Sequence, residues 1–174
     1  MTDALPTGAT QHVGATQHVA TRRRFLIGAA GVVMVTAVPE ARAQFLAQGE
    51  ARAAAMHAAI KAVAGENPLQ QGRVKIELPP LVENGNAVPL SIAVESPMTD
   101  ADHVKAIHIF TEKNPQPNVA VFQLGPRAGT AHIQTRMRLA DTQFVVAIAE
   151  MSDGSYWRDD VEVVVTMAAC LEES

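Results

Sequence analysis

Two periodicities divide this chain. Between residues 50 and 63 an alanine-rich run places Met56, Ile60 and Val63 at i, i+4 and i+7, the one-sided spacing of an amphipathic helix made from strong helix formers. Gly65 and Pro68 end it, and His57, off the apolar stripe, reads as solvated. Beyond Pro68 the apolar positions recur every second residue, as on a strand with one buried face. Val74, Ile76 and Leu78 alternate with Lys75 and Glu77, and Val88, Leu90, Ile92 and Val94 alternate with small or polar residues. The clearest case is residues 131–139, where Ile133, Met137 and Leu139 should face in while His132, Gln134, Arg136 and Arg138 face out. Further strands are predicted over 103–111, 118–124, 142–151 and 160–167. Turn residues separate them: Glu83-Asn84-Gly85-Asn86, Asn114-Pro115-Gln116-Pro117, Gly125-Pro126 and Ser152-Asp153-Gly154-Ser155. About seven strands over roughly 100 residues predict a mainly β fold, an immunoglobulin-like antiparallel β-sandwich preceded by one N-terminal helix. The cysteine pair of antibody domains is absent, so the expectation is of the wider sandwich architecture.

Two strands are too apolar to have a wet face. Phe144-Val145-Val146-Ala147-Ile148-Ala149 and Val161-Glu162-Val163-Val164-Val165-Thr166 are nearly continuous hydrophobic runs, the pattern of strands covered on both sides. The chain's own helix could supply the cover, and so could a second subunit in a stable heteromer; both readings stay open.

The first 43 residues read as a leader. Thr21-Arg22-Arg23-Arg24-Phe25-Leu26 fits the twin-arginine export pattern, and an apolar run over 25–38, too short to span a bilayer, ends at Pro39. Ala41-Arg42-Ala43 supplies a small-x-small cleavage site, which predicts residues 1–43 as a signal peptide, Gln44 as the mature N-terminus and the periplasm as the destination. Upstream, Gly8-Ala9-Thr10-Gln11-His12-Val13 recurs verbatim at residues 14–19, a duplication inside the leader. Residues 44–174 are then one domain carrying 10 basic against 16 acidic side chains. A net charge of −6 argues against nucleic acid and anionic lipid as partners and for proteins. No other segment could cross a membrane.

Candidate chemistry is sparse. The four histidines beyond the leader, His57, His103, His108 and His132, show no HxxxH spacing, and no CxxC, GxSxG, P-loop or GxGxxG occurs, so no catalytic residue, metal ligand or cofactor is predicted. Glu95, Asp100 and Asp102 read as a solvated acidic turn, and Tyr156 and Trp157 as a cap on the sandwich or a partner contact. One feature stands apart. The only cysteine, Cys170, lies in Ala168-Ala169-Cys170-Leu171-Glu172-Glu173-Ser174, so no disulfide can form within the chain in an oxidising compartment. An inert thiol, a bond to another molecule and a sulfur used for chemistry remain.

Several stretches together resemble the SoxY family of the periplasmic Sox sulfur-oxidising system. They are Leu81-Val82-Glu83-Asn84-Gly85, Val94-Glu95-Ser96-Pro97-Met98-Thr99, Val104-Lys105-Ala106-Ile107-His108-Ile109-Phe110, Glu112-Lys113-Asn114-Pro115 and Ala149-Glu150-Met151-Ser152-Asp153-Gly154-Ser155. The resemblance covers nearly all the chain after the leader. It implies a carrier that holds sulfur intermediates covalently on a cysteine and presents them to separate enzymes, without being an enzyme itself. It also implies a heterodimer with a SoxZ-like subunit and transient contacts with the Sox cytochrome, hydrolase and sulfane dehydrogenase. By position the attachment point is Cys170, and Ala168, Ala169 and Leu171 form its arm.

The arm departs from the family's usual Gly-Gly-Cys-Gly-Gly. Alanine gives up the left-handed conformations open to glycine, and Glu172 and Glu173 place negative charge beside a thiolate, favouring the protonated thiol. A second reading is therefore a non-carrier paralogue, an interaction module whose cysteine is inert or disulfide-bonded to a partner.

Overall fold

The computed structural model describes residues 27–168. The chain divides into two compact units, Met1–Arg42 and Ala43–Ser174. Helix α1 spans Ile27–Ala64 and thus starts well before the predicted residue 50. It continues through Pro39, where the apolar run was expected to break. A proline in a helix interior removes one ladder hydrogen bond and costs about 3 kcal/mol, and the alanine-rich turns on either side keep the rest of the ladder. The C-terminal end is as predicted: Gly65 takes a left-handed φ of 63° and its N–H bonds to the Lys61 carbonyl at 2.8 Å.

Nine strands follow: β1 (Leu69–Gln70), β2 (Val74–Glu77), β3 (Leu81–Val82), β4 (Val88–Val94), β5 (Val104–Thr111), β6 (Asn118–Gln123), β7 (Ala131–Met137), β8 (Gln143–Met151) and β9 (Tyr156–Val165). They form two sheets packed as an immunoglobulin-like sandwich. The larger runs β1-β9-β8-β5-β6 with β3 also on β9; the smaller runs β2-β4-β7. The predicted strands are all present, and the two additions, β1 and β3, are two-residue pieces paired parallel to β9 through Leu69↔Tyr156 and Leu81↔Val164. Residues 69–82 thus run beside β9 in the large sheet, cross to the small sheet as β2, and return. The crossing leaves β2 at an edge, and the Asp159 carboxylate fills the gap by accepting the Ile76 N–H at 2.8 Å.

The core lies between the sheets. Val88, Ile92, Val104, Ile107, Leu139, Val145, Ala147, Met151 and Val163 are fully buried there, and the predicted alternation of β7 holds, with Ile133 and Met137 in and His132, Gln134 and Arg136 out. Gln143 is the one buried side-chain amide among the described residues. Its oxygen accepts the Lys113 N–H at 2.8 Å, and its nitrogen donates to Asn114 Oδ1 at 3.0 Å and the Asp141 carbonyl at 3.1 Å, tying the β5–β6 and β7–β8 connections together.

A second, smaller core sits on the outer face of the large sheet. Met56 and Ile60 of α1 pack on Phe110, Val146 and Ile148, with Ala59, Val63, Leu69 and Tyr156 around them. The helix therefore supplies the cover that the apolar β8 run demanded over Val146 and Ile148. His108 lies on this face between Val121 and Ile148 in the ladder, its ring 6.3 Å from that of Phe110. Both of its ring nitrogens are buried without a hydrogen-bond partner among the described residues. Burial pushes its pKa below the usual histidine value, opposed by the charge of Glu150, which is paired with Lys105.

A pH dependence follows with a definite sign. The unfolded chain takes up a proton on His108 near pH 6.5, whereas the folded chain resists it to lower pH, so stability is full above about pH 6.5 and falls as the pH drops below that value. Glu77 and Asp153, whose pKa values are lowered by Lys75 and Ser155, act only at more acidic pH. Urea midpoints measured at pH 7.5 and 5.5 should drop for the wild type, and His108→Leu should flatten the difference. An equal drop in the variant would rule His108 out as the source.

Candidate functional site: the base of the cysteine arm

Three of the four predicted arm residues, Ala169, Cys170 and Leu171, lie outside the described residues. What is described is the platform from which they depart. β9 ends at Val165, and three further residues continue to Ala168, which is partly buried. The backbone stays pinned past the strand end. Val165 N–H donates to Thr142 Oγ1 at 3.0 Å and Thr166 N–H to the Val82 carbonyl at 3.0 Å. The Thr166 hydroxyl donates to the Glu83 carbonyl at 3.2 Å, and Gly85 N–H donates to the Met167 carbonyl at 2.9 Å. Gly85 in turn accepts from Leu139 N–H at 2.9 Å, so the 83–86 turn is held to the sandwich as well as to the arm base. Among the described residues, the last anchored group is the Met167 carbonyl.

This clamp explains why Leu81-Val82-Glu83-Asn84-Gly85 stood out in the sequence. Leu81 and Val82 form β3 on β9, and the main-chain groups of Val82, Glu83 and Gly85 hold Thr166 and Met167. The stretches around Ser96 and Ser152 do equivalent work at the opposite end of the sandwich. There Ser96 Oγ accepts the Met98 N–H at 3.2 Å and Ser152 Oγ accepts the His103 N–H at 3.1 Å. Trp157 caps that end, packed on the core with the Arg73 guanidinium 5.0 Å above its ring.

Around the arm base the surface is apolar. Leu81 (58% exposed), Val164 (44%), Phe144 (40%) and Met167 (61%) make up four of the six large hydrophobic side chains exposed in the described chain. Leu81 and Val164 are ladder partners, and Phe144 stands on β8 opposite Glu162, one diagonal step from Val164 on the same outer face. The helix that covers Val146 and Ile148 does not cover these. Sequence patterning found Phe144 and Val164 inside its over-apolar runs but gave no sign that Leu81 joins them.

Elsewhere the described residues offer little chemistry. A concavity of about 890 Å³ lies on the outer face of the small sheet, where Lys75 and Glu77 neutralise each other at 2.8 Å. No group of three or more histidine, cysteine or acidic side chains positioned for a metal occurs among the described residues, and none of their helices is long and apolar enough to cross a membrane. His57 is exposed, and His132 bonds Ser91 Oγ at 2.9 Å.

Comparison with known proteins gives the geometry a family. A solved structure of the sulfur carrier protein SoxY from Chlorobium limicola f thiosulfatophilum is 34% identical, with a TM-score of 0.56 over 66% of this chain and 99% of that one. A superoxide reductase (neelaredoxin) from Ignicoccus hospitalis is 18% identical, with a TM-score of 0.49 over 54% of this chain and 80% of its own. No curated protein matches. The family described as sulfur oxidation protein SoxY matches residues 60–170, from the buried face of α1 to the cysteine itself, and the chain belongs to that family.

Proposed function

We propose that this protein is a periplasmic sulfur carrier in which Cys170 holds thiosulfate-derived sulfur covalently and presents it to the Sox enzymes. The observation that carries the reading is that the SoxY family match ends on residue 170, the only cysteine in the chain. Residues 1–43 act as a twin-arginine signal peptide, and a SoxZ-like subunit accompanies the carrier as a heterodimer, in keeping with family membership.

The chemistry needs only a thiolate. As the Cys170 thiolate bonds to the outer sulfur of thiosulfate, the pair gives up two electrons to the Sox cytochrome, leaving a cysteine S-thiosulfonate. Water then splits the sulfur–sulfonate bond at the hydrolase, releasing sulfate and two protons and leaving a cysteine persulfide. The sulfane dehydrogenase passes six electrons from the outer sulfur of the persulfide anion to an electron acceptor while three water oxygens add to it and six protons leave, giving a cysteine S-sulfonate, and a last hydrolysis releases sulfate and a proton and returns the thiol. The body supplies a fixed platform and the arm supplies reach. Three residues beyond Met167 can carry the cysteine at most roughly 10 Å from the Met167 carbonyl.

Tetrathionate loads such a thiol without an enzyme: the thiolate attacks one inner sulfur, forming the same S-thiosulfonate and expelling thiosulfate. Intact mass of the full chain after this treatment should show a single adduct that a dithiol reductant removes. A chain that stays unmodified, or that appears only as a disulfide-linked species with another protein, would instead support the non-carrier paralogue.

A further inference from the structure

We infer that Leu81, Phe144 and Val164 form the seat on which a processing enzyme rests the rim of its active-site entrance while it works on Cys170. The inference rests on the carrier reading and adds the surface that makes delivery specific. Its basis is reach. The backbone is held up to the Met167 carbonyl by Gly85, which leaves three residues, or roughly 10 Å of extended chain, to bring the sulfur to a catalytic group. A protein–protein contact of ordinary size covers about 800 Å² on each partner, a disc roughly 16 Å in radius, wider than the arm is long. An enzyme that engages the sulfur therefore presses on the carrier body around Met167.

The surface in that zone has the composition of an interface centre. Val164 lies three residues from Met167, Leu81 is its ladder neighbour, and Phe144 follows diagonally on the same face; each is at least 40% exposed. Glu162 stands opposite Phe144, and Glu112, whose carboxylate accepts the Phe144 N–H at 3.5 Å, borders the patch on the β5 side. Exposed aliphatic and aromatic groups in one patch, with charge thinned out, are what the buried centre of a specific contact requires. The arm's sequence holds one large apolar residue, Leu171, next to Glu172 and Glu173, so most of the apolar contact has to come from the body. The occupant is accordingly an enzyme with an apolar rim around its active-site entrance.

The test uses the full chain loaded on Cys170 with tetrathionate, and the purified Sox hydrolase, with sulfonate loss followed by intact mass. Leu81→Glu and Phe144→Glu should lower kcat/KM for discharge by about tenfold or more, mainly through KM, as expected for removal of a central apolar contact. Val121→Glu, equally exposed at 41% but on β6 away from the arm, should not. Loading by tetrathionate, a small ion that needs no docking surface, should proceed at the wild-type rate in all three. Discharge of the Leu81 and Phe144 variants at the wild-type rate overturns the inference while leaving the carrier reading in place. A wild-type adduct that the hydrolase never discharges overturns the carrier reading and this inference with it. Loss of a stably bound second subunit from the patch variants, with hydrolase discharge unchanged in its absence, assigns the patch to that subunit and also overturns the inference.

Discussion

Cys170→Ser abolishes sulfur loading while leaving the fold as stable as the wild type. A serine hydroxyl is far too weak an acid to supply an anion near neutral pH, whereas a thiol with an ordinary pKa of about 8.5 presents a few per cent of thiolate at pH 7 and is intrinsically the better nucleophile. The chain contains no second cysteine to take over, so adduct formation with tetrathionate should fall to background rather than to an intermediate rate. Stability should hold because, among the described residues, the sandwich's hydrogen bonding ends at Met167 and its core at Val165. The expected change in unfolding free energy is within about 0.5 kcal/mol, the usual range for a position away from core and network. Intact mass after tetrathionate and a urea titration by circular dichroism read the two halves of the result. An adduct of unchanged yield in the serine variant would remove Cys170 from the mechanism altogether.

The negative neighbours of the cysteine set the rate rather than the possibility of this reaction. Glu172 and Glu173 repel both the forming thiolate and the incoming dianion, and that repulsion weakens as salt shortens the Debye length from about 30 Å at 0.01 M to about 8 Å at 0.15 M. The alanines before the cysteine restrict the arm without shortening it. On the proposed carrier reading, reach, chemistry and docking fall to different parts of the chain: the arm, the sulfur and the body.

That separation bears on what could be read from the sequence. Period-two alternation located β2, β4 and β7 because each has one face in the core and enough residues to display the pattern, whereas β8 showed as a nearly continuous apolar run because α1 covers Val146 and Ile148 on its outer face. β1 and β3 were invisible because two residues have no period. The start of β9 was set at residue 160 rather than Tyr156 for a different reason. Asp159 points a carboxylate to the inner side to satisfy the Ile76 N–H, so the strand opens with polar residues on both faces. Cys170 was legible from its singularity and from the family resemblance. The clamp beneath it was not, because most of its bonds are between main-chain groups of Val82, Glu83, Gly85, Thr166 and Met167 that any side chain would present. The apolar seat was half legible. Hydrophobic runs in β8 and β9 showed that something covers these strands, and only the structure divides that cover between α1, over Val146 and Ile148, and open surface at Phe144 and Val164.

Phe110→Ala should cost about 3–5 kcal/mol, the range for deleting a large aromatic side chain from a packed core. Phe110 is fully buried and among the largest such side chains in the chain, and it lies between the two bodies that the second core joins, with Met56 and Ile60 above it and its ladder partner Val146 beside it. Cavity formation there is hard to relieve. The sheet on one side is held by ladders to β6 and β8, and the α1 residues that could move in, Ala59 and Ile60, are already packed or too short to fill the space of a ring. The loss should appear as a lower urea midpoint with no change in slope, and a loss below about 1 kcal/mol would mean that α1 is not seated on this sheet. Function should respond differently from stability. α1 reaches toward the same end of the outer face, its Arg52 donating to the Lys113 carbonyl at 3.2 Å, but the arm base is joined to the sandwich through Gly85, Thr142 and Val82 rather than through α1. In conditions where the variant is folded, tetrathionate should load Cys170 at the wild-type rate. A parallel loss of loading would show that the helix positions the arm as well as stabilising the sheet.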